Sequence, residues 1–414
     1  MPMEDAQHQR EQEMAATAAS CSVGKLGRST GLGALVLLLA ALPATTQQAG
    51  GASRLAPSLP VRADLHRAET VRFSALGPKA IVSHIKCGPG GGDIYAVYNT
   101  SSLEALREQP IRRISASPRR VTEYPIPPIP GYEGLARVNF DVSADGTLFE
   151  LVRGTPQTGS GNKQDPVYLI VKYKDDGSMD SHFAIGEVPG QHTRPISLAV
   201  FTDGHSLVSG TTLEKTPDRT LLGVFSAMFD QSGVFRAPVT LLKLAAPAES
   251  GASPSPRGTT PTTARKDEAE KGRDSTDPIT LASSLLSVSS SDGNIYVLQN
   301  GRLDVVSALG SVEHEFELRP PAKGLSPLQM AAAGAGFLFV SYGHISTGEP
   351  GENAQDRSMI TVLYPQTGEV TAIYDAPQAE TDLAVSACAV SANDFVFLRS
   401  DEQGYLEVVH YVPN

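Results

Sequence analysis

Carboxylates, histidines and arginines at the starts of apolar runs are the residues of this chain whose types could do chemistry. Glu133 and Arg137 lie in YEGLAR, His192 and Arg194 in QHTRPI, Glu380 and Asp382 in AETDLA, and His344 in YGHISTGE. Glu133, Glu380 and Asp382 together would offer a divalent cation an oxygen-rich shell, although no compact ligand spacing joins them. His192 with Arg194 would hold an anionic group or move a proton. Solvated loop charges and a hydrogen-bonded loop pair account for the same residues more plainly, and both accounts stay open. His84, within an apolar run, is either a satisfied structural histidine or a group facing the centre of the fold.

Stronger motifs are missing. GPGGG at 88–92 lacks the following Lys-Ser/Thr and the helix that a phosphate loop needs, so it reads as a hairpin turn. KYKDDGSMD comes nearest to a calcium loop and fits a turn better. No cofactor and no metal centre is expected, and nothing names a substrate or a reaction. The 34 Lys and Arg against 45 Asp and Glu leave a net charge of −11, which argues against non-specific binding to nucleic acid or anionic membranes. The absence of Trp removes the commonest aromatic platform for sugars.

The elements that must position these residues are strands. From about residue 69 onward, runs rich in Val, Ile, Leu, Phe and Tyr, about five to eight residues long, are broken by Asp-Gly, Gly-Gly or Asn-Asp. In MITVLYPQTGEVTAIYDA, residues 359–376, two such runs flank Gly368, and the design recurs around Gly177, Gly233 and Gly310. An earlier turn in each group falls at Gly146, Gly204, Gly293 and about Gly336. Groups of four strands repeat at roughly 45–60 residues, which predicts an all-β fold, a six-bladed β-propeller. The last group lacks a fourth strand, and ETVRFSAL at 69–76 is the expected donor that closes the ring. A tandem pair of β-sandwiches is the alternative. In a propeller, the loops carrying the candidates named above converge on one mouth of the central channel, an expectation from fold analogy alone.

Around this domain, expected over 69–414, stand three other segments. Lys25 and Arg28 precede the apolar GLGALVLLLAALPA at 31–44, so 1–48 reads as a signal peptide, with an uncleaved anchor as the alternative. Residues 49–68 read as a flexible tether, and the Pro/Ser/Thr-rich, then charged stretch 245–278 as a disordered insertion between the third and fourth blades. Export into the periplasm or the extracellular space would make Cys87 and Cys388 interesting. Each stands six residues before an Asp, Asp93 and Asp394, in the first and last groups. They would be either a disulfide that clamps the closed ring or two buried free thiols.

The turns SADGTLFEL, FTDGHSLVSG and SSDGNIYVL resemble the Asp-Gly hairpins of bacterial six-bladed propellers of the broad NHL-like and TolB-like kind. The resemblance covers about residues 69–414. Some members of that group are gluconolactonase-like hydrolases or streptogramin-lyase-like enzymes, but their metal and catalytic residues have no position-by-position match here. The leading expectation is therefore a non-catalytic, monomeric scaffold that binds a protein or small-molecule ligand on the channel face, with no nucleic-acid partner and with membrane contact only through an uncleaved anchor. The alternative is a metal-dependent lactonase- or lyase-type enzyme at the channel mouth, with Glu133, His192 and Asp382 as its residues.

Overall fold

The computed structural model describes residues 59–75, 81–89, 92–99, 109–157, 165–215, 220–241, 282–333, 336–344, 358–376, 387–401 and 403–414. The signal or anchor segment and the insertion 245–278 lie outside them, as does residue 49–58 of the tether. Among the described residues no helix is long and apolar enough to cross a membrane.

Among the described residues the chain forms twenty-four strands. The first, β1, runs Val61–Ala75. Four four-stranded antiparallel sheets follow. The first holds β2 (Ile81–Cys87), β3 (Asp93–Asn99), β4 (Ile111–Ala116) and β5 (Arg119–Tyr124). The second holds β6 (Tyr132–Val142), β7 (Leu148–Pro156), β8 (Val167–Tyr173) and β9 (Met179–Ala184). β10 (His192–Val200), β11 (Ser206–Lys215), β12 (Thr220–Phe229) and β13 (Phe235–Pro238) form the third. β14 (Leu286–Ser289), β15 (Ile295–Gln299), β16 (Arg302–Val306) and β17 (Val312–Glu317) form the fourth. The rest of the chain supplies β18 (Leu325–Ala333), β19 (Phe337–His344), β20 (Met359–Leu363), β21 (Val370–Asp375), β22 (Ala387–Ser391), β23 (Asp394–Ser400) and β24 (Tyr405–Pro413). These join β1 in one eight-stranded sheet of order β18-β19-β20-β21-β1-β24-β23-β22. The arrangement of small sheets is propeller-like.

The Asp-Gly turns follow from their residues. Asp145, Asp203 and Asp292 each accept the backbone N–H two residues on, from Thr147, His205 and Asn294, all at 3.0 Å. The next residue, Gly146, Gly204 or Gly293, has φ of 88°, 87° or 85°, a left-handed conformation that glycine adopts without steric cost. The turns around Gly177, Gly233, Gly310 and Gly368 carry a further constraint. A Cβ on Gly233 would lie 2.1 Å from the Ala184 carbonyl oxygen, one on Gly177 2.2 Å from that of Glu123, and one on Gly368 2.7 Å from Phe316. Each of these turns presses on the sheet before it.

The core lies in apolar layers between neighbouring sheets. Tyr95 and Tyr124 of the first sheet meet Phe140, Leu148 and Tyr173 of the second, and Phe149, Leu151 and Ile170 meet Leu198, Val208 and Phe225 of the third. The eight-stranded sheet folds over so that its two halves enclose a layer of their own. There Phe339 and Tyr374 pack on Phe395, with ring centroids 6.2 and 5.3 Å apart. Fully burying one such ring stabilises the fold by roughly 1.5–3 kcal/mol.

Two expectations change. The tether was drawn to residue 68 and the donated strand from 69, but β1 begins at Val61. Val61–Asp64 pairs in parallel with Ala372–Asp375 of β21, and Leu65–Ala75 pairs antiparallel with β24. Arg62, Asp64, His66 and Arg67 stay at the surface, so this half of the strand shows no apolar run. For the same reason six separate sheets do not appear: β1 hydrogen-bonds to both β21 and β24 and merges what the repeat pattern divides.

Candidate ligand cavity at the centre of the ring

The leading strands β2, β6, β10, β14, β18 and β22 each touch the next, and β22 touches β2. Where they converge is a cavity of about 200 Å³. β2 supplies His84 and Lys86, β6 Asn139, β10 Ile196 and Ser197, β14 Leu286 and Ser287, and β18 Gln329 and Met330, while one helical turn at 282–284 adds Ala282 and Ser283.

Lys86 organises the polar wall. Its Nζ donates to the Ser287 carbonyl at 2.7 Å and lies 3.0 Å from Asp141 Oδ1, so it ties β2 to β14 and β6. Asp141, 1% exposed, accepts in addition from the Val200 amide at 2.8 Å, and the Ser289 hydroxyl, which donates to the Val200 carbonyl at 2.5 Å, lies 3.3 Å from it. A buried carboxylate needs this full set, because an ion out of water costs several kcal/mol unless it is paired and hydrogen-bonded. Gln329 Nε2 donates to the Ile85 carbonyl at 3.2 Å, and Asn139 Nδ2 to that of Ile196 at 3.1 Å. Both wall amides are thereby held in place.

His84 stands edge-on to Phe140, with ring centroids 4.7 Å apart. Part of the ring lines the cavity, while its Nε2 is buried without a hydrogen-bond partner. Burial first, then the Lys86 and Arg137 charges, lowers its pKa to about 3. The imidazole is therefore neutral.

Most of the candidates nominated from loop position lie away from this cavity. Glu133 is exposed, opposite Thr155 on β7. Arg137 is buried in a cluster beside the cavity: Nε donates to Glu150 and Nη1 to the Gln109 carbonyl at 2.6 Å, and Tyr173 donates to the other Glu150 oxygen. Burial pushes the Glu150 carboxyl up, against the pull of Arg137 and Tyr173. The cluster ties the second sheet to the segment before β4. His192 and Arg194 are exposed on β10, where Arg194 reaches the Tyr168 hydroxyl. His344 is half-buried at the end of β19, across from Leu325. None of these five lines the cavity, and Glu380 and Asp382 fall outside the described residues. Among the described residues no three His, Cys, Asp or Glu side chains are grouped to hold a metal ion.

Cys87 of β2 and Cys388 of β22 form a disulfide, with Cα atoms 5.6 Å apart. It staples the first leading strand to the last. The close approach of neighbouring leading strands brings the pair within the roughly 7 Å that the bond requires.

The residues that line the cavity, Lys86, Asn139, Ser287 and Gln329 above all, escaped the sequence reading. The available signal was a polar side chain inside an otherwise apolar leading strand, as in IVSHIKC, RVNFDV and SPLQMAAA.

No family model and no curated protein matches the chain. Among solved structures it is similar to a protein of unknown function from Dyadobacter fermentans, at 10% identity over 84% of this chain and 99% of that one, with a TM-score of 0.46. A luciferin-regenerating enzyme aligns at 11% identity over 84% and 95%, TM-score 0.43. A protein of unknown function from Bacteroides caccae aligns at 11% identity over 72% and 87%, TM-score 0.37.

Proposed function

We propose that the chain is an exported, non-catalytic, six-bladed β-propeller that acts as a binding scaffold and takes a small ligand in its central cavity. The observation that carries this reading is the cavity itself, where strands remote in sequence bring Lys86, His84, Asn139, Ser287 and Gln329 to one apolar-floored space. The six-blade count is supported by the two pairings of β1. In this reading β18–β21 is the fifth blade, β22–β24 with the second half of β1 is the sixth, and the first half of β1 is a strap across the fifth. Export is supported by the charged and apolar pattern of residues 25–44 and by the Cys87–Cys388 disulfide, a bond that persists in oxidising compartments. The protein is monomeric in this reading and has no nucleic-acid partner.

The test is a small-molecule screen by thermal melting and native mass spectrometry, run in parallel on the wild type and on Leu286→Trp, which fills the cavity. At least one compound class is expected to raise Tm in the wild type alone. A screen in which no compound distinguishes the two folded proteins overturns the binding reading. Export is checked separately, by locating the protein in cell fractions and sequencing its mature N-terminus.

A further inference from the structure

The cavity reading can be taken to a ligand class, and the inference rests on that reading. We propose that the cavity takes a compact, uncharged molecule with an apolar body and one hydrogen-bonding head, a carboxamide or alcohol rather than a carboxylate or amine.

Size and wall chemistry give the body. At about 200 Å³ the space exceeds the roughly 150 Å³ that admits benzene, so it suits a single ring with one substituent. Ile196, Leu285, Leu286, Leu328 and Met330 line it, and an apolar body buried against them leaves water favourably.

The polar groups give the head. An ammonium has three donors, and among the described residues Lys86 uses two, toward Ser287 and Asp141. The third is available to a ligand carbonyl or hydroxyl oxygen. Charge decides the rest. The Lys86 charge is already balanced by Asp141, itself almost fully buried. A ligand carboxylate would place a second negative charge in a site balanced without it, and would be desolvated in doing so. A ligand amine would likewise be desolvated, and it would find the nearby carboxylates already taken, Asp141 by Lys86 and Glu150 by Arg137. His84, kept neutral, brings no charge to either. An uncharged head gains the Lys86 hydrogen bond without these penalties.

Benzamide, benzoate and benzamidine share one shape and differ in charge, so titrating each into the full chain at neutral pH by calorimetry tests the assignment. Benzamide is expected to bind at least about tenfold more tightly than either charged probe, and its binding should vanish in Leu286→Trp. Benzoate or benzamidine equalling or exceeding benzamide overturns the charge class and leaves the cavity standing as a site. Undiminished benzamide binding in folded Leu286→Trp, or no binding by any probe, overturns the cavity reading and this inference with it. A melting curve of the variant establishes that it is folded.

Discussion

Gly177, Gly233, Gly310 and Gly368 occupy equivalent outer turns in four successive repeats, each in the left-handed region and each pressed on the repeat before it. The cavity wall presents the opposite case. Equivalent leading strands contribute His84 and Lys86, Asn139, Ser197, Ser287 and Gln329, with hardly a residue type in common. The outer turn answers a demand that these four repeats make alike, a reversal of the chain against a close neighbour. The inner wall answers a demand that arises once, because five different strands line one space. Repetition therefore marks architecture, and departure from it marks the place where chemistry is assembled.

If that contrast holds, the wall should be the more sensitive region despite its lack of pattern. Lys86→Met removes one member of a buried ion pair and leaves Asp141 uncompensated, with a loss of about 3–5 kcal/mol expected. Chemical denaturation of Lys86→Met and of Lys86→Met/Asp141→Asn measures it. The second substitution should recover a large part of the loss, and a double variant no better than the single one would deny the pairing its role. The disulfide at the same inner ring closes a separation of 301 residues. Replacing both cysteines by serine should lower stability by about 2–4 kcal/mol, mainly through the unfolded chain. An unchanged denaturation midpoint would remove the staple from the account.

At the outer turns, Gly233→Ala combines an unfavourable φ of 83° with a Cβ 2.1 Å from a backbone oxygen. The neighbouring sheet must shift, and about 2–3 kcal/mol is expected. The substitution lies away from the cavity lining, so ligand binding by the folded fraction should be unaffected.

Protonation probes the wall alone. His84 has an ordinary pKa near 6.5 in the unfolded chain and one lowered to about 3 in the fold. Between those values the unfolded state binds the extra proton, so the His84 contribution is complete above about pH 6.5 and is lost as pH falls toward 3. The slope is up to about 1.4 kcal/mol per pH unit. Denaturation of the wild type and His84→Asn between pH 6.5 and 4.5 isolates this term from the carboxylates, which both proteins share. The variant should show the flatter dependence, and parallel curves would mean that the ring is not held neutral by burial.

The same division explains what could be read from the sequence. The Asp-Gly turns were legible because their cause is local: an Asp that accepts the amide two residues on, and a glycine that takes the positive φ. The antiparallel half of β1 was legible through Val71 and Phe73, which turn toward the interior. Its first half was not, since Arg62, Asp64, His66 and Arg67 are at the surface and its pairing partner lies some 300 residues away. The cavity was hidden for a stronger version of that reason. Lys86, Asp141 and Ser287 look ordinary in their own strands, and only ring closure makes them neighbours. Glu133, His192 and Arg194 were nominated because they begin strands, but strand starts reach past the cavity into solvent.

The smallest effect expected is also the one that separates the two components of an outer-turn glycine. Gly293 has φ of 85°, almost that of Gly233, yet a Cβ there would meet nothing within 4 Å. Gly293→Ala should therefore cost only the left-handed backbone term, about 1 kcal/mol. Subtracting it from the Gly233→Ala loss leaves the cost of pushing one repeat away from the next. Equal losses at the two positions in denaturant titrations would mean that the close approach contributes nothing, and the outer turns would then be repeated for backbone geometry alone.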